Sequence, residues 1–80
     1  MKIRFTNPCD EDLIKTRKVP DKGTTKKRVD FDENNWYWEF TQWDYYFILE
    51  CINGKFTLNV TGGHYDDCYD YSETDVEVIQ

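Results

Sequence analysis

The feature of this sequence that most constrains its fold is the dipeptide Asn53-Gly54, which separates two apolar-rich runs between Tyr45 and Gly62. Asn-Gly readily adopts the two positive φ angles of a type I′ turn, whose twist matches that of two antiparallel strands. Residues 45–62 are therefore predicted to form a β-hairpin. The turn also sets the register, with the predicted partners Ile52 and Lys55, Cys51 and Phe56, Leu49 and Leu58, and Phe47 and Val60.

On this register the hairpin has one apolar face and one polar face. The side chains predicted to be buried are Tyr45, Phe47, Leu49, Cys51, Phe56, Leu58 and Val60. The other face carries Glu50, Thr57, Asn59 and Thr61. A slip of one residue would mix the two sets, so the pattern specifies the pairing.

The rest of the chain has the same preference for strands. Alanine is absent, and Val, Ile, Thr, Phe, Tyr and Trp together make up 32 of the 80 residues. Such side chains suit a pleated, half-buried surface and lose rotamer freedom in a helix. A chain of this length supports one core. We therefore expect a single domain over residues 1–80 that is mostly β, a β-rich α+β fold with a twisted antiparallel sheet of four to six strands.

The N-terminal segment predicts one strand and one helix. Ile3 and Phe5 alternate with polar residues, which is typical of a short strand. Asn7-Pro8 then resembles a helix start, with three acidic residues in the first turn and three basic residues in the last, which complements the helix dipole. We expect a short helix from Pro8 to Lys18 that covers one face of the sheet.

Three further strands are predicted. The loop from Val19 to Thr24 leads into a candidate edge strand at residues 25–31, in which Val29 and Phe31 share one face. Residues 36–43 fit a strand by composition, although the spacing of their aromatic residues also fits a helix. The strand is favoured. Val76 and Val78 indicate a last strand after a polar loop from Gly62 to Ser72.

Charge is divided unevenly along the chain. Residues 1–29 have a balance of +5 and residues 30–80 a balance of −11, which gives the net charge of −6 and a pI near 4.6. Proteins that bind nucleic acid usually carry a net positive domain, so direct binding of nucleic acid is not expected. The two halves either neutralise each other within the fold or present opposite charges to different partners.

The cysteines and the N-terminus predict a cytoplasmic protein. Cys9, Cys51 and Cys68 are an odd number at wide spacing, which gives neither a disulfide framework nor a zinc motif. The first residues contain no apolar leader, and no segment is long enough to span a membrane. We therefore expect reduced thiols and no membrane association.

The densest polar cluster runs from His64 to Tyr71 and contains imidazole, thiol and carboxylate groups. Its spacing fits no established metal site, and Cys68 beside carboxylates would have a raised pKa, which disfavours a reactive thiolate. Whether the segment from His64 to Asp70 binds a metal stays open. No cofactor, metal site or catalytic residue is predicted, and a non-enzymatic role is expected.

Binding of another macromolecule is the alternative to catalysis. Clustered carboxylates attract a basic partner, and tyrosine and tryptophan are favoured anchors at protein interfaces. The residues predicted to contact the partner are Trp43, Asp44, Tyr65, Asp66, Asp67, Tyr69, Asp70, Tyr71 and Glu73. Trp36 and Trp38 are expected in the core, and Trp43 is expected to be exposed.

In size, acidity and lack of motifs the chain resembles small phage-encoded antagonists of host defence, including anti-CRISPR proteins, and toxin-neutralising immunity proteins. The resemblance is one of composition and carries over no site residues. It implies an inhibitor that blocks a basic, nucleic-acid-handling site on a protein partner such as a nuclease or a CRISPR effector, in the host cytoplasm if the chain is phage-encoded. The alternative is an accessory or structural domain of a phage or mobile element. Such a domain would form homo-oligomers through an exposed strand edge or through the side of the hairpin that carries Tyr46, Ile48 and Ile52.

Overall fold

The computed structural model describes residues 1–60, 73–74 and 76–80, and every regular element in these ranges is a β-strand. The strands are β1 (Lys2–Asn7), β2 (Asp10–Lys18), β3 (Arg28–Asp32), β4 (Asn35–Gln42), β5 (Tyr45–Ile52), β6 (Lys55–Val60), β7 (Glu73–Thr74) and β8 (Val76–Ile79). The predicted loop from Gly62 to Ser72 lies outside the described residues.

The strands form two antiparallel sheets, in the orders β2-β1-β8 and β3-β4-β5-β6-β7. Strands β7 and β8 are neighbours in the sequence, but β7 pairs with β6 and β8 pairs with β1. The C-terminal stretch therefore passes from one sheet to the other. The prediction of a mostly β, antiparallel fold is confirmed. The prediction of one sheet is wrong, because β1 pairs with β2 on one side and with β8 on the other and so forms a second sheet.

The predicted hairpin is confirmed with its register. Phe47 pairs with Val60, Leu49 with Leu58, Cys51 with Phe56, and Ile52 with Lys55. Asn53 and Gly54 have φ angles of 52° and 81°, the left-handed pair that a type I′ turn requires. The strand interpretation of residues 36–43 is also confirmed by β4, and the predicted edge strand at residues 25–31 is observed as β3, at the end of its sheet.

The predicted N-terminal helix from Pro8 to Lys18 is wrong, because residues 10–18 form β2. The side chain of Asn7 accepts hydrogen bonds from the backbone N–H groups of Cys9 (2.8 Å) and Asp10 (3.2 Å), and so closes a tight turn instead of capping a helix. The chain then runs back along β1, from Thr6 opposite Ile14 to Lys2 opposite Lys18. An isolated helix of about three turns is marginal in water, and pairing with β1 overrides its local preference.

The core lies between the inner faces of the two sheets. The three-stranded sheet contributes Ile3 and Phe5, and Val19 follows directly after β2. The five-stranded sheet contributes Trp36, Trp38, Phe40, Tyr45, Phe47, Leu49, Cys51, Leu58 and Val60. Val76 and Val78 of β8 pack against this cluster and are partly buried. Trp36 and Trp38 are therefore core residues, as predicted.

One ion pair stands at the margin of this core. The guanidinium of Arg28 donates to the carboxylate of Asp30, with an N···O distance of 2.9 Å and side-chain exposures of 13% and 9%. The same guanidinium lies 4.1 Å from the centroid of the Trp36 ring and donates to the carbonyl of Pro20 at 2.6 Å. Arg28 thus attaches the loop after β2 to the edge of the five-stranded sheet.

We expect Asp30→Ala to destabilise the fold by about 3 kcal/mol, because it leaves the guanidinium of Arg28 mostly buried without its counter-ion. Arg28→Lys should also be destabilising, since an ammonium group cannot reproduce the forked contacts with Asp30 and Pro20. Chemical denaturation followed by tryptophan fluorescence measures both effects. The exposed acid Glu33, changed to Ala, is the control and should stay within about 0.5 kcal/mol of the wild type. Equal losses in Asp30→Ala and Glu33→Ala would contradict this role.

Candidate interaction surface

Two of the predicted partner-binding residues, Trp43 and Asp44, form the turn between β4 and β5. Their φ angles are 53° and 64°, so both lie in the left-handed region that is uncommon for residues other than glycine. The Trp43 ring packs edge-on against Phe5 at 5.5 Å between ring centroids, and lies 6.5 Å from Phe47. Trp43 is therefore half-buried, and the expectation that it is an exposed platform is wrong. Asp44 is exposed.

Most of the other predicted binding residues lie outside the described residues. They are Tyr65, Asp66, Asp67, Tyr69, Asp70 and Tyr71, and the same holds for the rest of the segment from His64 to Tyr71. The backbone of Glu73 lies in β7, opposite Asn59. The grouping of these residues with Trp43 and Asp44 into one surface stays a prediction, as does the question of a metal at His64 to Asp70.

The charge of the chain is divided more sharply at residue 60 than at residue 29. Residues 1–60 contain ten Lys or Arg and ten Asp or Glu, a net charge of zero. Residues 61–80 contain six acids and no Lys or Arg, a net charge of −6. The net charge of the protein therefore equals that of its last quarter, which includes β7 and β8, whereas residues 1–60 are neutral.

The outer face of the five-stranded sheet brings together a second set of residues with the same chemistry. Register places Tyr37 opposite Glu50, and Glu39 opposite Ile48, with Tyr46 next to Ile48 on the same face. All five side chains are partly exposed. We call this group, Tyr37, Glu39, Tyr46, Ile48 and Glu50, the Tyr–Glu face. Sequence reasoning placed Glu50 outside and considered Tyr46 and Ile48 for self-association, but it missed Tyr37 and Glu39.

The two carboxylates of the Tyr–Glu face are held by neutral donors. The Tyr46 hydroxyl donates to Glu39, which raises the pKa of Tyr46, and partial burial and the Glu39 charge add to this shift. The Asn59 amide donates to Glu50 at 2.8 Å. Neither carboxylate forms an ion pair with a Lys or Arg of the described chain. Their negative charges therefore remain available to a partner.

Exposed apolar side chains flank the Tyr–Glu face. Phe31 of β3 is 73% exposed, and its ring lies 6.1 Å from that of Tyr37. Ile52 is 54% exposed at the far end of β5. Beside Tyr46 the rim becomes basic, with Lys18 and Lys27 lining a shallow groove. The outer face thus combines aromatic and apolar anchors with two central acids and a basic border.

The side chain of Arg17 covers the edge of the core next to that groove. Its guanidinium lies 5.0 Å from the centroid of the Phe40 ring and 5.4 Å from that of Trp38, and it donates to the carbonyl of Thr41 at 3.0 Å. These contacts cover the two aromatic rings and join β2 to β4. Trp38 and Phe40 are consequently not available to a ligand.

The cysteines differ from the expected three reduced thiols. Cys9, in the turn between β1 and β2, is disulfide-bonded, and its sulfur lies 2.9 Å from the Tyr45 hydroxyl. Cys51 is free and buried, and its thiol donates to the carbonyl of Asn34. The expectation of three reduced thiols is therefore wrong for Cys9. Cys68 lies outside the described residues.

Other sites and known relatives give no further assignment. In residues 1–60, 73–74 and 76–80, no group of three or more His, Cys, Asp or Glu side chains is arranged to hold a metal ion. The same part of the chain has no helix of the length and apolarity that a membrane span requires. Comparison with protein families, with curated proteins and with solved structures finds no significant match.

We expect peptide mapping without reductant to find Cys9 in a disulfide and Cys51 as a free thiol. Cys51 should react with iodoacetamide only after unfolding, because its side chain is 3% exposed. Mass spectrometry of the alkylated native and denatured protein measures both. Rapid alkylation of Cys9 in the native, unreduced protein would contradict the assignment.

We expect Glu39→Gln to lower the pKa of Tyr46 toward its ordinary value of 10.0, because the carboxylate acceptor and its charge are lost. When folding raises the pKa of a tyrosine, the protonated tyrosine stabilises the fold at pH values below its pKa in the unfolded chain. That stabilisation is lost as the pH rises through its pKa in the folded protein. The stability difference between wild type and Glu39→Gln should therefore narrow above pH 10.0. NMR titration of labelled tyrosine rings, with Tyr46→Phe for assignment, measures the pKa. Glu33→Gln, at an exposed position, is the control and should leave it unchanged.

Proposed function

We propose that this chain is a small, acidic, non-enzymatic binding protein that docks on a basic surface of a protein partner and blocks it. The partner is one that handles nucleic acid, such as a nuclease or a CRISPR effector, as the resemblance to antidefence and immunity proteins implies. The observation that supports the proposal best is the Tyr–Glu face, where two carboxylates without a described ion pair stand among tyrosine and apolar side chains.

The chemistry of the Tyr–Glu face suits a basic partner. Tyr37 and Tyr46 offer rigid, amphipathic rings that can be buried at little cost in conformational entropy. Glu39 and Glu50 are positioned by hydrogen bonds, so they lose little freedom when they accept forked hydrogen bonds from arginine. Arginine is the usual phosphate-binding residue of nucleic-acid sites, and such a site is the complement of this surface.

The negative charge of residues 61–80 adds a long-range electrostatic attraction to the proposed binding. Residues 61–80 contain six carboxylates and no Lys or Arg, and one of the six, Glu77, pairs with Arg4 of β1. The resulting net charge of −6 attracts a basic surface over distances of about a Debye length. Steering of this kind raises the association rate, whereas close contacts on the interface determine the dissociation rate. Trp43, Asp44 and the tyrosine-rich segment from Tyr65 to Tyr71 belong to this proposed interface together with the Tyr–Glu face.

The shape of the described chain also favours docking over catalysis. A sheet face is flat, and it offers contact area instead of the enclosed, apolar pocket that buries most of a small substrate. A partner protein needs about 800 Å² of such a surface. The exposed side chains of Phe31 on β3 and Ile52 on β5 extend the Tyr–Glu face toward a surface of this kind.

The test measures binding of the purified protein to purified basic nucleases, including a CRISPR effector, and inhibition of their DNA cleavage. The double variant Glu39→Lys/Glu50→Lys should weaken binding at least about tenfold, which is about 1.4 kcal/mol. The triple variant Asp66→Lys/Asp67→Lys/Asp70→Lys should chiefly slow association and reduce its dependence on salt. Biolayer interferometry at low and high salt separates the two effects.

The matched control is Asp21→Lys/Glu33→Lys, which changes the net charge by the same amount as the Glu39 and Glu50 variant, at exposed positions off the Tyr–Glu face. The control variant should dissociate from the partner at the wild-type rate, because the Tyr–Glu face is unchanged. Equal weakening by both double variants would mean that only net charge matters. Absence of binding to every basic nuclease tested would refute the proposed partner class. Circular dichroism verifies that each variant is folded.

A second candidate function is that of an oligomerising accessory or structural domain. One observation favours it: β2 lies at the edge of the three-stranded sheet, and eight of its nine residues are exposed. Self-association is measured independently of partner binding, so the two candidates can be tested separately.

A further inference from the structure

Strand β2 is an exposed edge of unusual length for this fold. Among the described strands it pairs with β1 alone, and only Arg17 of its nine residues is partly covered. The outer edge of such a strand carries unpaired backbone N–H and C=O groups, which can pair with another strand. The edge of the other sheet, β3, has five residues and mixes its charges.

The charges of β2 are segregated in a way that matches the strand to itself. Its first three residues are acidic, Asp10, Glu11 and Asp12, and three of its last four are basic, Lys15, Arg17 and Lys18. Leu13 and Ile14 stand between them, with side chains that are 44% and 59% exposed. An antiparallel copy of the same strand places acids against bases, whereas a parallel copy places like charges together.

We propose that β2 pairs with β2 of a second copy of the chain, antiparallel, about a two-fold axis at Ile14. In a symmetric antiparallel pair one residue must lie opposite its own counterpart. With Ile14 at the axis, Asp10 lies opposite Lys18 of the second copy, and Glu11 lies opposite Arg17 of the second copy. Symmetry repeats the first of these, so Asp10 and Lys18 form two cross-strand pairs of opposite charge. The Arg17 guanidinium is already held by the Thr41 carbonyl and the rings of Trp38 and Phe40.

The alternative register is less favourable. With Leu13 at the axis, Glu11 would lie opposite Lys15 of the second copy, but Asp12 would lie opposite Ile14, and Asp10 opposite Thr16. Only residues 10–16 of the two copies would overlap within β2, whereas the Ile14 register pairs all nine residues of the strand. Cross-strand pairs on one face are the unit of sheet stabilisation, so the longer overlap favours the Ile14 register.

The resulting dimer has a continuous six-stranded sheet in which the two copies of β2 are neighbours. Backbone hydrogen bonds and the contact between the two Ile14 side chains hold it together. The pairs of Asp10 with Lys18 are exposed and contribute modestly each, but they favour the antiparallel direction. The inference does not depend on the proposed inhibitor function, because β2 contributes no residue to the Tyr–Glu face.

The test is sedimentation equilibrium of the intact protein, with and without reductant so that a disulfide-linked dimer is recognised. The wild type should show a concentration-dependent monomer–dimer equilibrium. Lys18→Asp places Asp10 opposite an aspartate and should weaken the dimer at least about tenfold. The swapped variant Asp10→Lys/Lys18→Asp restores opposite charges in reversed order, and its Kd should return to within about threefold of the wild type.

Lys22→Asp is the matched control, because it makes the same charge change at an exposed loop position outside β2. It should leave the equilibrium unchanged. Cross-linking through introduced cysteines determines the register directly. Under mild oxidation, Ile14→Cys should form a disulfide between the two copies, and Leu13→Cys should not. Only residues at the axis bring their Cβ atoms within the distance that a disulfide requires. Mass spectrometry distinguishes the new bond from the disulfide at Cys9.

Three outcomes would overturn the inference. They are a wild type that stays monomeric at the highest concentration reached, a swapped variant that stays as weak as Lys18→Asp, and preferential cross-linking through Leu13→Cys. If the dimer fails while the nuclease binding persists, only the inference about β2 is lost. If the dimer forms and no basic nuclease is bound, the structural function is supported instead.

Discussion

Contact between Phe5 and the aromatic side chains of the five-stranded sheet is the interaction on which the rest of the structure depends. Phe5 lies on β1, is 1% exposed, and packs edge-on against Phe40 and Phe47 at ring-centroid distances of 5.4 and 5.2 Å. A chain of 80 residues has few side chains for a core. Large aromatic rings bury much area each, and here they fasten one sheet to the other.

That packing decides which surfaces remain open. Because the inner face of the five-stranded sheet is filled by the core, its outer face presents Tyr37, Tyr46, Glu39 and Glu50 on a flat support. Because β1 lies between β8 and β2, the latter is an edge strand among the described residues. The two interaction surfaces proposed above are thus consequences of how one core is built. They lie on different sheets and adjoin at the groove lined by Lys18, Glu39 and Tyr46.

The net charge of the chain lies in its last quarter, although that quarter supplies β7 and β8 to the two sheets. Residues 1–60 are neutral, and their oppositely charged side chains form local pairs such as that of Arg28 and Asp30. The last quarter carries the net charge of −6. A neutral body can approach a partner surface without long-range repulsion, while the acidic segment supplies attraction toward basic surfaces. The division is consistent with a protein that acts by contact and has no need of an internal pocket.

Local sequence determined the hairpin of β5 and β6, the strand character of β4, and the burial of Trp36 and Trp38. In each case a short-range signal was sufficient: Asn53-Gly54 admits the left-handed turn, and alternation assigns every second side chain to the core. For the interaction surface, sequence identified the acidic, tyrosine-rich character but neither Tyr37 nor Glu39. Those residues meet Tyr46 and Glu50 only through pairing of β4 with β5.

Tertiary structure alone decided that residues 10–18 are a strand and that there are two sheets. The charge pattern of that segment suits a helix as well as a strand, and a helix of this length is only marginally stable by itself. Pairing with β1, the turn closed by Asn7, and the contact of Arg17 with Phe40 and Trp38 favour the strand. Each of these joins residues that are distant in sequence or depends on a strand already in place. Local propensity contains no information about such contacts, so only the folded chain settles them.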